Sequence, residues 1–298
     1  MKIINFQIHF ESYYTIEISG RCNPLFSFTF ENTGYDSIMK GFRPKKSLGQ
    51  HFLTDKNIAR KIVSALHAEG CNSIVEIGPG TGVLTALLAE RKDTEPFFVE
   101  IDREAFALLR ESFPGIRDRI IHADFLGMDM EKDFKAPVAI IGNLPYNISS
   151  PVLFKILENR DRVKEVVCMV QKEVARRIAS PPGSKDYGIL SVLIQAFYTV
   201  DYLFTVSPGV FNPPPKVNSG VIRMVRRETA NLPCDEGKFF RVVKTSFNQR
   251  RKMLRNSLQN HFVMYDRYDP LLEKRPEQLS VDDFVELTNR LEDASITK

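Results

Sequence analysis

A chain of 298 residues, 43% hydrophobic and 26% charged with a net charge of +4, has an ordinary globular composition and room for two domains. No apolar run is long enough to span a bilayer, and the N-terminus lacks the basic, apolar and cleavage-site order of a secretory signal, so no membrane partner is expected. Cys22, Cys71, Cys168 and Cys234 are scattered without Cys-x-x-Cys or metal-ligand spacing, which fits buried thiols in a reducing cytoplasm and no metal site.

Residues 1–38 hold scattered aromatics and no readable motif. Met39 followed by the basic run Lys40 to Lys46 reads as the true start, with 1–38 a poorly ordered extension. Ser47 to Leu53 follows, then a helix over 55–66 with Ile58, Ile62, Val63 and Leu66 on one face. A strand over 71–77 runs into Gly78-Pro79-Gly80-Thr81-Gly82 and an apolar helix from Val83. Strand, glycine turn and helix in that order open a nucleotide-binding βαβ unit.

The following strands are expected over 96–102, 120–124, 136–142 and 166–170, with helices at 104–112 and from Pro151. Ser150 is the expected N-cap and Pro151 the first helical residue. A helix over 189–197, a strand over 198–206, the proline loop 211–217 and a strand over 220–225 complete an α/β, Rossmann-like fold. Its sheet should be mostly parallel, with the ligand at the strands' carboxyl ends. Helix without strand is expected from about Asn231. The expected division is therefore 1–38, 39–230 and a smaller helical domain over 231–298.

Charge is segregated along this second half. Residues 207–260 carry eleven Lys/Arg against three Asp/Glu, whereas 261–298 carry five against nine. Lys45, Lys46, Lys216, Arg250, Arg251, Lys252 and Arg255 are candidate polyanion contacts, with a solvated helix face as the plainer explanation.

The glycine spacing is G-x-G-x-G, and no Lys-Ser/Thr follows, so neither a dinucleotide fingerprint nor a phosphate loop is present. Glu76 before the turn favours a cationic ligand such as S-adenosylmethionine. Glu100 is placed to accept the ribose hydroxyls and Asp124 the adenine amine; Asp102 and Asp129 read as surface acids. Asn143-Leu144-Pro145-Tyr146 suits a planar base with an exocyclic amine: the Asn143 side-chain oxygen and Leu144 carbonyl accept from the amine, and Tyr146 stacks. Pro145 holds Leu144 extended, and Phe211 could cover the opposite face of the base or lie in the core.

Ser47–Leu53, Glu76–Gly82, Asn143–Ser149, the Phe211-x-Pro213-x-Pro215-Lys216-Val217-x-Ser219 loop and Phe247–Asn256 together resemble the KsgA/RsmA family of small-subunit rRNA adenine dimethyltransferases over roughly 40–290. The resemblance implies a class I methyltransferase sheet of seven strands and S-adenosylmethionine as cofactor, held at His51, Leu53, Gly78, Glu100, Asp124 and Asn143, with Gly80 in the same turn. It also implies 16S rRNA of the immature small ribosomal subunit as partner, dimethylation of two adjacent adenosines, and a cytoplasmic monomer. The family often has Asn where this chain has His51. The sister large-subunit methylases share the pattern but more often carry Ile at the Leu144 position, and Gln249–Lys252 argues against them. DNA adenine methylases usually carry Asp/Asn-Pro-Pro-Tyr/Phe. A non-catalytic RNA-binding factor on this scaffold could have lost the acids that this chain keeps.

Overall fold

The computed structural model describes residues 44–45, 48–228, 231–266 and 268–294; the expectations for 1–38, Met39, Lys46 and Cys22 lie outside them. The strands in chain order are β1 (Phe52–Leu53), β2 (Ser73–Ile77), β3 (Glu95–Glu100), β4 (Ile120–His122), β5 (Val138–Asn143), β6 (Val163–Gln171), β7 (Tyr198–Val206), β8 (Phe211–Asn212), β9 (Ser219–Arg226), β10 (Phe262–Met264) and β11 (Leu291–Asp293). The helices that matter below are α1 (Lys56–Ala65), α2 (Val83–Leu88), α3 (Arg103–Ser112), α4 (Ser149–Glu158), α5 (Lys172–Ala179), α6 (Ile189–Phe197), α7 (Glu236–Asn248), α8 (Leu254–Leu258) and α9 (Val281–Arg290).

Seven strands form one sheet in the order β4-β3-β2-β5-β6-β9-β7. The pairs from β4 to β6 are parallel, whereas β9 runs antiparallel to both β6 and β7. The order reverses between β2 and β5, the point where an open α/β sheet leaves a crevice at its carboxyl edge. The class I methyltransferase sheet expected from the sequence is present.

Strand alternation explains the two cores. Val75 and Ile77, Val138 and Ile140, and Val166, Cys168 and Val170 face one side. Ile74, Ala139, Ile141, Val167 and Met169 face the other, against α1, α2 and α3. The first side continues without a break into Phe239, Val243, Phe247, Leu254 and Phe284 of the C-terminal helices. Phe197 stacks on Phe240 with ring centroids 6.2 Å apart, and the Arg160 guanidinium lies 4.4 Å from the Phe197 ring centroid while pairing with Glu236.

Two local expectations change. Helix α4 starts at Ser149 after Ile148, so Pro151 sits at its third position and Ser150 is not the cap. A proline is tolerated there because the first-turn N–H groups lack intrahelical acceptors. Residues after Asn231 are not purely helical, because β10 and β11 pair as an antiparallel ribbon. Each ribbon strand has three residues, too few for alternation to reveal it, and its partner is distant in sequence.

Candidate active site

The carboxyl ends of β2, β3 and β5 border a solvent-open cleft lined among others by Gly78, Glu100, Asp124, Asn143 and Tyr146. Its roof is the N-terminal segment Leu48–Phe52. That segment runs into β1, whose residues Phe52 and Leu53 pair with Asn212 and Phe211 of β8.

All three glycines of the 78–82 turn have positive φ, a conformation costly for other residues. Their surroundings differ. A Cβ on Gly80 would meet the Phe52 ring at 2.7 Å, whereas one on Gly78 would meet nothing within 4 Å. Gly78 therefore leaves room for a ligand, and Gly80 for protein packing.

Glu100 ends β3 with 3% exposure. Its Oε2 accepts from the Gly80 N–H at 2.9 Å and its Oε1 from the Asp102 N–H at 2.8 Å. Burial raises its carboxyl above the ordinary range, partly offset by these two N–H bonds. Each oxygen keeps a lone pair for a hydroxyl donor. Asp124 is exposed at the cleft, and one of its oxygens accepts from the Leu126 N–H at 2.9 Å. The Lys155 ammonium secures the wall beyond it by donating to the carbonyls of Leu126 (2.9 Å) and Met128 (2.6 Å).

Asn143 closes β5. Its Nδ2 donates to the His51 carbonyl at 2.8 Å. A carbonyl only accepts, so the amide nitrogen must face His51 and Oδ1 is left as an acceptor. The Leu144 N–H donates to Met169 at 3.0 Å, fixing the next peptide. The Tyr146 hydroxyl pairs with Ser219 Oγ at 2.8 Å, its ring lies 5.5 Å from the His51 ring, and burial raises its pKa. The Ser149 hydroxyl donates to the Tyr146 carbonyl at 3.2 Å, joining the loop to the start of α4. His51 Nδ1 lies 2.8 Å from the Pro213 carbonyl, which only accepts, so Nδ1 donates to it.

Nine expected residues line the cleft: His51, Gly78, Gly80, Glu100, Asp124, Asn143, Leu144, Pro145 and Tyr146. Two do not. Leu53 is buried and lines a smaller hollow behind the turn with Glu76 and Gly78. Phe211 is 5% exposed and packs in the core, because β8 pairing directs its ring inward beside Leu53; the core alternative holds in this arrangement.

Three charge expectations also change. Glu76 is fully buried, accepts from the Thr85 hydroxyl at 2.7 Å, and has its pKa pushed up by burial to about 8, so it presents no fixed charge to a cationic ligand at neutral pH. Asp102 is not a surface acid but is 2% exposed. Lys45 is committed to Asp102 at 2.7 Å and Glu104 at 3.0 Å. In the basic run, Arg250 donates to the Lys185 carbonyl, and Arg255 lies 3.6 Å from Glu273, while Arg251, Lys252 and Lys216 are exposed. Gln50, Lys155 and Ser219 are site residues that sequence reasoning does not single out, and Asp102 is one it reads only as a surface acid. Gln50 and Ser219 stand inside the motifs that carry the family resemblance, which is their one signal.

A family model described as ribosomal RNA adenine dimethylase matches residues 41–293. The ribosomal RNA small subunit methyltransferase A of Bacteroides thetaiotaomicron is 54% identical over 260 residues, covering 86% of this chain and 97% of the relative. The protein of the same name from Cytophaga hutchinsonii is 51% identical, covering 85% and 99%. Among solved structures, a dimethyladenosine transferase from Plasmodium falciparum shares the fold with a TM-score of 0.67 at 24% identity, covering 80% of this chain and 96% of that one. The 23S rRNA methyltransferase ErmE gives a TM-score of 0.62 at 25% identity, covering 80% and 99%. The chain belongs to the ribosomal RNA adenine dimethylase family.

Proposed function

We propose that this protein transfers methyl groups from S-adenosylmethionine to N6 of two adjacent adenosines in the 3′-terminal hairpin of 16S rRNA. It acts as a cytoplasmic monomer on the immature small subunit. The observation that carries the reading is Asn143: its amide nitrogen is held by His51, so its oxygen remains as the acceptor at the mouth of a cleft without phosphate-binding features. Identity above half to small-subunit methyltransferases, against a quarter to a 23S enzyme, favours the small subunit over the large.

The cleft fits the cofactor. The open space over Gly78 would take a group that a Cβ would displace, Glu100 would accept the ribose hydroxyls, and Asp124 would accept the adenine amine. Bound there, S-adenosylmethionine supplies an electrophilic methyl on a sulfonium. An adenine amine is a weak nucleophile because its lone pair is delocalised into the ring. Asn143 Oδ1 and the Leu144 carbonyl would accept its two N–H bonds, favouring a tetrahedral nitrogen with the lone pair aimed out of the ring plane. Pro145 keeps Leu144 extended and Tyr146 offers its face to the base. Holding the amine in line supplies much of the acceleration, and its proton leaves N6 only after the methyl has arrived. Lys216, Arg251 and Lys252, together with the shorter-range cations around them, would hold the RNA, with 231–298 as the RNA-binding part.

Mapping rRNA modification in a strain lacking this protein tests the assignment. Loss of dimethyladenosine from small-subunit rRNA alone is expected; loss from large-subunit rRNA instead would refute it.

A further inference from the structure

Asp102 is buried directly behind the cleft-lining residues Gln50 and Glu100, to both of which it is hydrogen-bonded. Its Oδ1 accepts from the Lys45 ammonium at 2.7 Å and the Glu104 N–H at 3.0 Å, and its Oδ2 accepts from Gln50 Nε2 at 2.9 Å. Its own N–H donates to Glu100. Gln50 Oε1 in turn accepts from the Lys45 N–H at 2.8 Å, closing a ring of hydrogen bonds among the three residues. Burial pushes the Asp102 carboxyl up, but Lys45, Gln50 and the Glu104 N–H outweigh it and hold it below its ordinary range. A buried carboxylate with this many donors is a fixed anchor, because removing one donor leaves a buried charge short of a compensating hydrogen bond.

What it anchors is the roof of the cleft. Leu48–Phe52 line the cleft, and the far end of this stretch is fastened by His51 to Asn143 and Pro213. The near end is fastened through Lys45 and Gln50 to Asp102. We propose that Asp102 is a positioning residue for methyl-donor binding: with Lys45 and Gln50 it latches the Leu48–Phe52 roof against the Glu100 end of β3 and so slows cofactor exchange. This rests on the reading of the cleft as an S-adenosylmethionine site. Lys45 then serves the cofactor side of the protein, not the RNA.

The test uses full-length wild type, Lys45→Met, Lys45→Arg and Asp102→Asn. Four quantities are measured: S-adenosylmethionine affinity by calorimetry, S-adenosylhomocysteine release by stopped flow, donor KM against kcat, and amide hydrogen exchange of Leu48–Leu53 in the ligand-free protein. Lys45→Met should weaken donor binding and speed product release by about five- to tenfold, the change falling on KM more than on kcat. It should also speed exchange in Leu48–Leu53, and Lys45→Arg should restore much of both. Asp102→Asn should do the same more strongly, and Lys45→Met stands alone if that variant fails to fold. Unchanged donor affinity, release and exchange in Lys45→Met would overturn the proposal, as would a defect confined to RNA affinity. A wild type that does not bind S-adenosylmethionine would instead overturn the functional reading beneath it.

Discussion

Asn143 Nδ2 donates to the His51 carbonyl at 2.8 Å, tying the carboxyl end of the fifth strand to the segment that roofs the cleft. The bond fixes which way the amide faces, so the side chain proposed to meet the substrate amine is oriented before any ligand arrives. Replacing Asn143 by Ala should lower kcat by about 10²–10³, the cost of losing one preorganised hydrogen-bonding group at a reacting centre. RNA affinity should be retained. Single-turnover methylation and filter binding on the same preparations check both halves.

Tyr146 separates a ring from a hydroxyl. Tyr146→Phe removes only the bond to Ser219 and should cost about 0.5–1.5 kcal/mol. Tyr146→Ala also removes the stacking face, worth about 1–3 kcal/mol on a base. A Phe variant as impaired in kcat/KM as the Ala variant would assign the work to the hydroxyl.

The glycine turn predicts two different failures. Gly78→Ala meets no atom, so it should fold with only the backbone penalty, about 1–2 kcal/mol, while its methyl intrudes on the cofactor space. Gly80→Ala drives a methyl into the Phe52 ring as well and should melt at lower temperature than Gly78→Ala. Thermal melting with and without S-adenosylmethionine distinguishes them: the ligand should stabilise neither as it does the wild type. Equal unliganded melting temperatures would contradict the packing assigned to Gly80.

Glu76 makes stability depend on pH. Its folded pKa is raised to about 8, chiefly by burial, so between the ordinary carboxylate range and about pH 8 the folded state holds a proton that the unfolded chain releases. Stability therefore falls as pH rises through that window, and the contribution is fully present only below it. Glu76→Gln has no such titration and should lose less melting temperature than the wild type between about pH 4 and about pH 8.5, limits that bracket the window. Parallel losses in the two proteins would remove Glu76 as the cause.

Arg251 and Lys252 are exposed, whereas Arg250 is bonded internally to the Lys185 carbonyl. Arg251→Ala with Lys252→Ala should weaken RNA binding and reduce the salt slope by about 1 for each phosphate no longer neutralised, without lowering the melting temperature. Arg250→Ala should lower the melting temperature as well. Salt titrations of binding alongside melts check the separation.

The fold and the cleft's proposed catalytic edge are legible in the sequence because each is encoded in contiguous residues. Alternating strand and helix patterns give the sheet, and Gly78–Gly82 and Asn143–Tyr146 each fit in one short loop. What escapes is made by distant pairs. Lys45 reaches Asp102 across 57 positions, so a basic run cannot disclose that one of its members is already neutralised. Phe211 stands in a proline loop whose sequence leaves open a base-covering role or a place in the core, and only its pairing with Leu53, far away in sequence, settles it in the core. Glu76 reads as a charge, and only its burial shows that it holds a proton.

Transfer of tritium from labelled S-adenosylmethionine to under-methylated small ribosomal subunits, followed by nucleoside analysis, tests the central claim most directly. Labelled N6,N6-dimethyladenosine in 16S rRNA with the wild type, and labelling about 10²–10³-fold slower with Asn143→Ala, is the predicted result. No label with the wild type, or label found equally with Asn143→Ala, would contradict it.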